Sequence, residues 1–180
     1  MSTVTTIKRG GLTAAIDSMG AQLTSLALDG NEYLWQGDPA VWSGQAPICF
    51  PICGGLRDNN AMTFAGHHVK LARHGFARKQ EWKLLSQSEN ELAMCLASED
   101  NAALLSDYPY PFKLVARYTL EDAAVRVSYE VTNEGTEDMP FFVGGHPGFK
   151  CPLDEGESYD DYELRFEQRE AAELCTACLL

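Results

Sequence analysis

Apolar and polar side chains alternate along most of this chain with the two-residue period of strands, not the 3.6-residue period of helices. Leu12, Ala14 and Ile16 alternate with their neighbours, and Ala21 to Leu28 continues as a strand into the turn Asp29-Gly30-Asn31, with Tyr33-Leu34-Trp35 returning. Met62 to Leu71 predicts a second hairpin turning near Gly66, and Trp82 to Gln87 pairs with Leu92 to Ala97 across Glu89-Asn90. The clearest alternation puts Leu114, Ala116, Tyr118 and Leu120 on one face of Phe112 to Leu120. It puts Val125, Val127, Tyr129 and Val131 on one face of Ala124 to Asn133, beyond the turn Glu121-Asp122. Met139 to Val143 and Tyr162 to Phe166 supply further strands. Asn101 to Asp107 alone reads as a helical turn, stopped by Tyr108-Pro109-Tyr110-Pro111. About ten short strands at such spacings predict an all-β, antiparallel sandwich or barrel.

Composition narrows the classes of function. The 180 residues carry 14 basic and 26 acidic side chains, a formal net charge of -12, with 45% hydrophobic and 22% charged positions. That is the composition of a folded domain able to bury a core without staples. Nucleic-acid and anionic-membrane binding rest on clustered Lys and Arg, and no such cluster is present, so neither partner is expected. The first residues lack a basic and apolar leader, and no apolar run approaches the ~18 residues of a membrane span, which predicts a cytoplasmic protein. Reduced thiols are expected at Cys49, Cys53, Cys95, Cys151, Cys175 and Cys178. Cys175-Thr176-Ala177-Cys178 has the spacing of half a zinc site, but no second pair answers it, so neither metal nor cofactor is expected. The apolar stretch from Ala171 to Leu180 has no polar tail or turn; it reads as a final strand or as the interior of a longer protein.

Three loops concentrate Gly, Pro and polar groups between strands, where a β scaffold presents functional side chains. In Pro47 to Asn59, paired glycines precede Arg57, whose guanidinium suits a polyhydroxylated or anionic ligand; the same segment also reads as a Gly-rich turn with a solvated Arg. In Leu71 to Arg78, His74 is flanked by Arg73 and Arg78, cations that keep an imidazole neutral near pH 7 for hydrogen bonding or proton transfer. A structural loop His is the alternative. In Phe141 to Phe149, His146 precedes Pro147, which biases its backbone to an extended conformation and suits a positioned general acid. His67 and His68 are assigned no role. Elbow, phosphate-loop and zincin motifs are absent.

Taken in order, these segments resemble the aldose 1-epimerase (galactose mutarotase-like) family, and within it the LacX-type branch. The likeness rests on Gly20 to Leu26, Glu32-Tyr33-Leu34-Trp35, the Pro47 to Asn59 loop, His74-Gly75-Phe76-Ala77-Arg78, Tyr110-Pro111-Phe112, Val131-Thr132-Asn133 and Gly144-Gly145-His146-Pro147-Gly148-Phe149. It covers residues 1–180 as one domain and implies a large antiparallel β-sandwich, incomplete at its C-terminal end. The resemblance implies interconversion of the α and β anomers of a hexose by ring opening and reclosure. His146 would serve as acid at the ring oxygen, with His74 and Arg57 hydrogen-bonding sugar oxygens and Arg78 on the same rim. Trp35, Trp42 or Phe149 either packs a pyranose face or belongs to the core. The family's Glu base and sugar-binding Asp are expected beyond Leu180, since no acidic residue here stands in a matching motif. Two other readings stay open: a hexose-6-phosphate 1-epimerase, using Arg57, Arg73 and Arg78 for phosphate, and a non-catalytic sugar-binding sandwich.

Overall fold

The computed structural model describes residues 2–169, so the apolar stretch from Ala171 and the Cys175/Cys178 pair lie outside the described residues. The chain divides into two compact units, Met1–Lys150 and Cys151–Leu180. In the first unit the strands are β1 (Val4–Arg9), β2 (Leu12–Asp17), β3 (Gln22–Leu28), β4 (Asn31–Glu32), β5 (Ile48–Cys49) and β6 (Asn60–Met62). They continue with β7 (His68–Lys70), β8 (Lys83–Gln87), β9 (Glu91–Ala97), β10 (Phe112–Leu120), β11 (Val125–Asn133) and β12 (Gly144–Gly145). Every ladder between these strands is antiparallel.

Two four-stranded sheets dominate, in the orders β1-β2-β3-β4 and β11-β10-β9-β8. In β2 strict alternation buries Leu12, Ala14 and Ile16. In β10 it buries Phe112, Leu114, Ala116, Tyr118 and Leu120. These faces, with Leu92, Met94 and Leu96 of β9, join one apolar core, as two stacked sheets require. The Tyr118 hydroxyl reaches across to donate to the Ala21 carbonyl at 2.6 Å. The other face of β9 is also covered. Ala93, Cys95 and Ala97 pack with Val115 in a second, small cluster of short side chains.

The antiparallel sandwich and its principal hairpins agree with the alternation in the sequence, including the Thr63 to His67 turn at Gly66. Four elements differ. The first strand, β1, pairs in full with β2 through a two-glycine turn, although its Thr- and Lys-rich face carried no clear pattern. Met139 to Val143 is not a strand: Pro140 lacks an N–H, and the segment is tied by single bonds, Phe142 N–H to the Pro51 carbonyl and the Tyr108 hydroxyl to the Pro140 carbonyl. The ladder instead forms at Gly144–Gly145. Tyr162 to Phe166, in the second unit, pairs with no strand among the described residues. Tyr162 follows a 3-10 turn, Tyr159–Asp161, held by reciprocal capping between Ser158 and Asp161. The helical turn shortens to Leu104–Asp107, with Pro109 just beyond.

Candidate active site

Three loops are drawn together by backbone bonds. β5 pairs with β12, Cys49 opposite Gly144 and Ile48 opposite Gly145, and the His146 N–H continues the pairing onto the Pro47 carbonyl at 3.0 Å. On its other side Phe50 bridges Gly75 in parallel: its N–H donates to the His74 carbonyl at 3.3 Å and its carbonyl accepts from Phe76 and Ala77. This approach needs glycine. A Cβ on Gly75 would lie 2.1 Å from the Phe50 carbonyl oxygen, and its φ is +71°. Further along, Gly148 N–H donates to Gln45 and Trp35 N–H to the Gly148 carbonyl, bringing the Trp35–Trp42 segment beside His146.

The outcome is a row of three rings. His74 and His146 have ring centroids 5.4 Å apart, and His146 lies 5.3 Å from the centroid of Trp42. His146 is exposed and His74 half-buried. His74 has a left-handed backbone, φ +67°, a conformation in which a non-glycine residue is held only by its surroundings. It is held by Gly54, whose N–H donates to His74 Nδ1 at 3.0 Å and whose carbonyl accepts the His74 N–H at 2.7 Å. Because Nδ1 accepts, the neutral ring carries its proton on Nε2. Burial lowers the His74 pKa from its ordinary value, and the positive charges of Arg78, His146 and Arg73 lower it further. Behind β12, Tyr129 stands with its hydroxyl 3.0 Å from where a Gly145 Cβ would be, and burial pushes its phenol up to about 12. A recess of about 160 Å³ runs from His146 and Gly145 to Tyr129, Tyr118 and Leu23.

Of the four residues singled out in the sequence, His74 and His146 meet. Arg78 lies within electrostatic reach of His74, but its guanidinium Nη2 donates to the Arg73 carbonyl at 2.9 Å, and its Nε is buried without a hydrogen-bond partner. Arg57 sits exposed at the head of a 3-10 turn, Arg57–Asn59, and no hydrogen bond, ion pair or ring contact joins it to either histidine. Among the aromatic candidates Trp42 reaches the site. Trp35 spends its indole N–H on the Trp42 carbonyl at 2.7 Å, and Phe149 bridges Leu34. Gly54 was not evident as the partner of His74, because twenty residues separate them and nothing local marks the pairing. His67 meets Glu137 at 2.6 Å, in a separate cluster. Among the described residues no group of three or more His, Cys, Asp or Glu side chains is arranged to hold a metal ion. None of their helices is long and apolar enough to cross a membrane.

The arrangement is that of a β-sandwich protein with a candidate acid–base site on its glycine-rich loops. A family model for aldose 1-epimerase matches residues 3–178, and the chain belongs to that family. It is 44% identical over 177 residues to the plasmid-encoded protein LacX of Lactococcus lactis subsp. lactis, covering 93% of this chain and 58% of LacX. Among solved structures it is similar to a galactose mutarotase related enzyme from Lactobacillus acidophilus, with TM-score 0.83 and 32% identity over 88% of this chain and 53% of that one. A galactose mutarotase-like protein from Lactobacillus casei gives TM-score 0.79 and 32% identity, covering 85% and 52%. The chain thus spans a little over half the length of these relatives.

Proposed function

We infer that this chain supplies the acid and sugar-binding side of an aldose 1-epimerase site, acting on the anomers of a hexose. The observation that carries the reading is the pairing of His74 with His146, rings 5.4 Å apart on one rim, close enough to touch the same pyranose. Opening the ring requires a proton delivered to the ring oxygen as the C1 hydroxyl loses one, with the roles reversed on closure. His146, exposed and backbone-tied to Pro47, is assigned the proton at the ring oxygen. His74, kept neutral with its proton on Nε2, donates a hydrogen bond to a sugar oxygen, and Trp42 faces the apolar C–H surface of the ring. Arg57 is assigned to sugar hydroxyls at the rim, and Arg78 acts through His74. No carboxylate among the described residues pairs with either histidine, so the base at C1 is left unassigned.

Polarimetry of freshly dissolved α-glucose and α-galactose with the protein tests this. Where a carboxylate base completes the site, faster decay of optical rotation is expected, lost on His146→Asn by about 10²-fold or more. Saturable sugar binding with no acceleration would replace the enzyme by a sugar-binding sandwich, and absence of both would overturn the reading. A second reading, a hexose 6-phosphate as substrate, uses Arg57, Arg73 and Arg78 for the phosphate, of which Arg73 and Arg78 lie within electrostatic reach of His74. It requires the sugar phosphate to compete better than the free sugar.

A further inference from the structure

Cys49 and Cys53 have no part in the sugar chemistry, yet they lie against one another directly behind it. Cys49 is 3% exposed in β5, opposite Gly144, whereas Cys53 is exposed four residues later. A Cβ on Gly144 would lie 3.1 Å from Cys53 Sγ, which places that sulfur over the ladder position that Cys49 occupies from the other strand. The two thiols are close enough for Cys53 to act on the ionisation of Cys49. Burial and the neighbouring Cys53 push the Cys49 thiol up, so Cys49 remains protonated while Cys53 meets solvent. Of the other described thiols, Cys95 is enclosed in the small cluster of β9 and Cys151 belongs to the second unit.

We propose that Cys49 and Cys53 are a thiol modification site that closes to an intramolecular disulfide when the chain meets a peroxide. The exposed Cys53 sulfur, its proton given up to solvent, attacks one peroxide oxygen to form the sulfenic acid, and the other oxygen leaves as hydroxide and takes up that proton as water. Cys49 sulfur then attacks Cys53 sulfur; the S–OH bond breaks, and the departing hydroxide leaves as water with the proton from Cys49. Two electrons pass from the sulfurs to the peroxide, and two waters form. The bridge reports on the site because Cys53 precedes Gly54, the residue that bonds His74 through both its N–H and its carbonyl. Drawing Cys53 onto Cys49 shifts Gly54 and with it the acceptor bond on Nδ1.

The 180-residue chain is treated with hydrogen peroxide, quenched with an alkylating reagent, unfolded, alkylated again and cut with trypsin. Cleavage after Arg9 and Arg57 leaves Cys49 and Cys53 in one peptide with no other cysteine. The expected product is that peptide, two hydrogens lighter, taking up no reagent until it is reduced, with neither Cys49→Ser nor Cys53→Ser yielding it. Cys53 found as sulfinic acid with Cys49 free to be alkylated, or Cys53 joined to another thiol, overturns the proposal. A bridge that forms while the His74 ring resonances stay unmoved in NMR overturns its link to the site.

Discussion

Gly54 and His74 exchange two hydrogen bonds: the glycine N–H donates to Nδ1 at 3.0 Å, and its carbonyl accepts the histidine N–H at 2.7 Å. One residue therefore fixes both the left-handed backbone of His74 and the nitrogen that carries its proton. The chemistry of the imidazole is set by a glycine with no side chain to contribute.

The His74 pKa is accordingly expected below the ordinary histidine value of about 6.5. Burial leads this shift, followed by Arg78, His146 and Arg73. The unfolded chain then binds a proton that the folded one refuses, so this group's contribution to stability is intact above about pH 6.5 and is lost as pH falls from there through the folded value. Histidine C–H resonances followed against pH should show it. Arg78→Leu should move the His74 midpoint back up, and an unchanged midpoint would separate Arg78 from His74.

Gly75→Ala should be among the most damaging single substitutions in the chain. Its φ of +71° disfavours any Cβ, and the new atom would meet the Phe50 carbonyl oxygen at 2.1 Å. The two effects together are expected to cost about 3 kcal/mol or more, read from urea unfolding, and to separate His74 from His146. A cost near zero would mean that the Phe50–Gly75 bridge does not hold in solution.

The strand-rich fold was legible because a single buried face writes a period of two into β2 and β10, and β11 repeats that period with half-buried Val125, Tyr129 and Val131, although β8 is exposed throughout and β9 is buried on both faces. β1 escaped, since only Ile7 of its six residues is buried and Val4, Thr5, Thr6, Lys8 and Arg9 lie outside the core. Met139 to Val143 misled because its apolar run, Met139, Phe141, Phe142 and Val143, resembles a strand while Pro140 and the local packing spend its hydrogen bonds on loops. At the site, the histidines were marked by Gly and Pro neighbours. The meeting of the two histidines without a direct contact to Arg57, and the dependence of His74 on Gly54, are long-range outcomes with no local signature.

Glu32, within a motif that carried the family resemblance, is structural. Its carboxylate accepts from Ser25 Oγ and from the backbone of Leu26 and Leu34, each at 2.9 Å for the two N–H groups. Burial alone would raise its pKa; bonds from Ser25, Leu26, Leu34 and Tyr33 more than offset this and leave it lowered. Its contribution to stability is present above the unfolded-state value of about 4.3 and is lost as pH falls through the lower folded value. Glu32→Gln should flatten the acid limb of the stability curve; an unaltered limb would place the acid sensitivity elsewhere.

Tyr118→Phe should destabilise by about 1–3 kcal/mol, because it strands the buried Ala21 carbonyl that its hydroxyl serves. The fold should survive, since the ring still fills the core. Chemical denaturation at neutral pH measures the difference, and a neutral result would show that water replaces the hydroxyl.

The tight packing of Trp42 over Gly148, where a Cβ would fall 2.6 Å from the indole ring, ties the alphabet permitted at two distant positions. As long as the indole stays, a side chain at 148 collides with it; with a smaller residue at 42, the remaining neighbour is Trp35, whose Cβ would lie 3.3 Å from the new one. The freedom to vary the loop that presents His146 is therefore narrowed from 106 residues upstream, by the aromatic ring that stands over it.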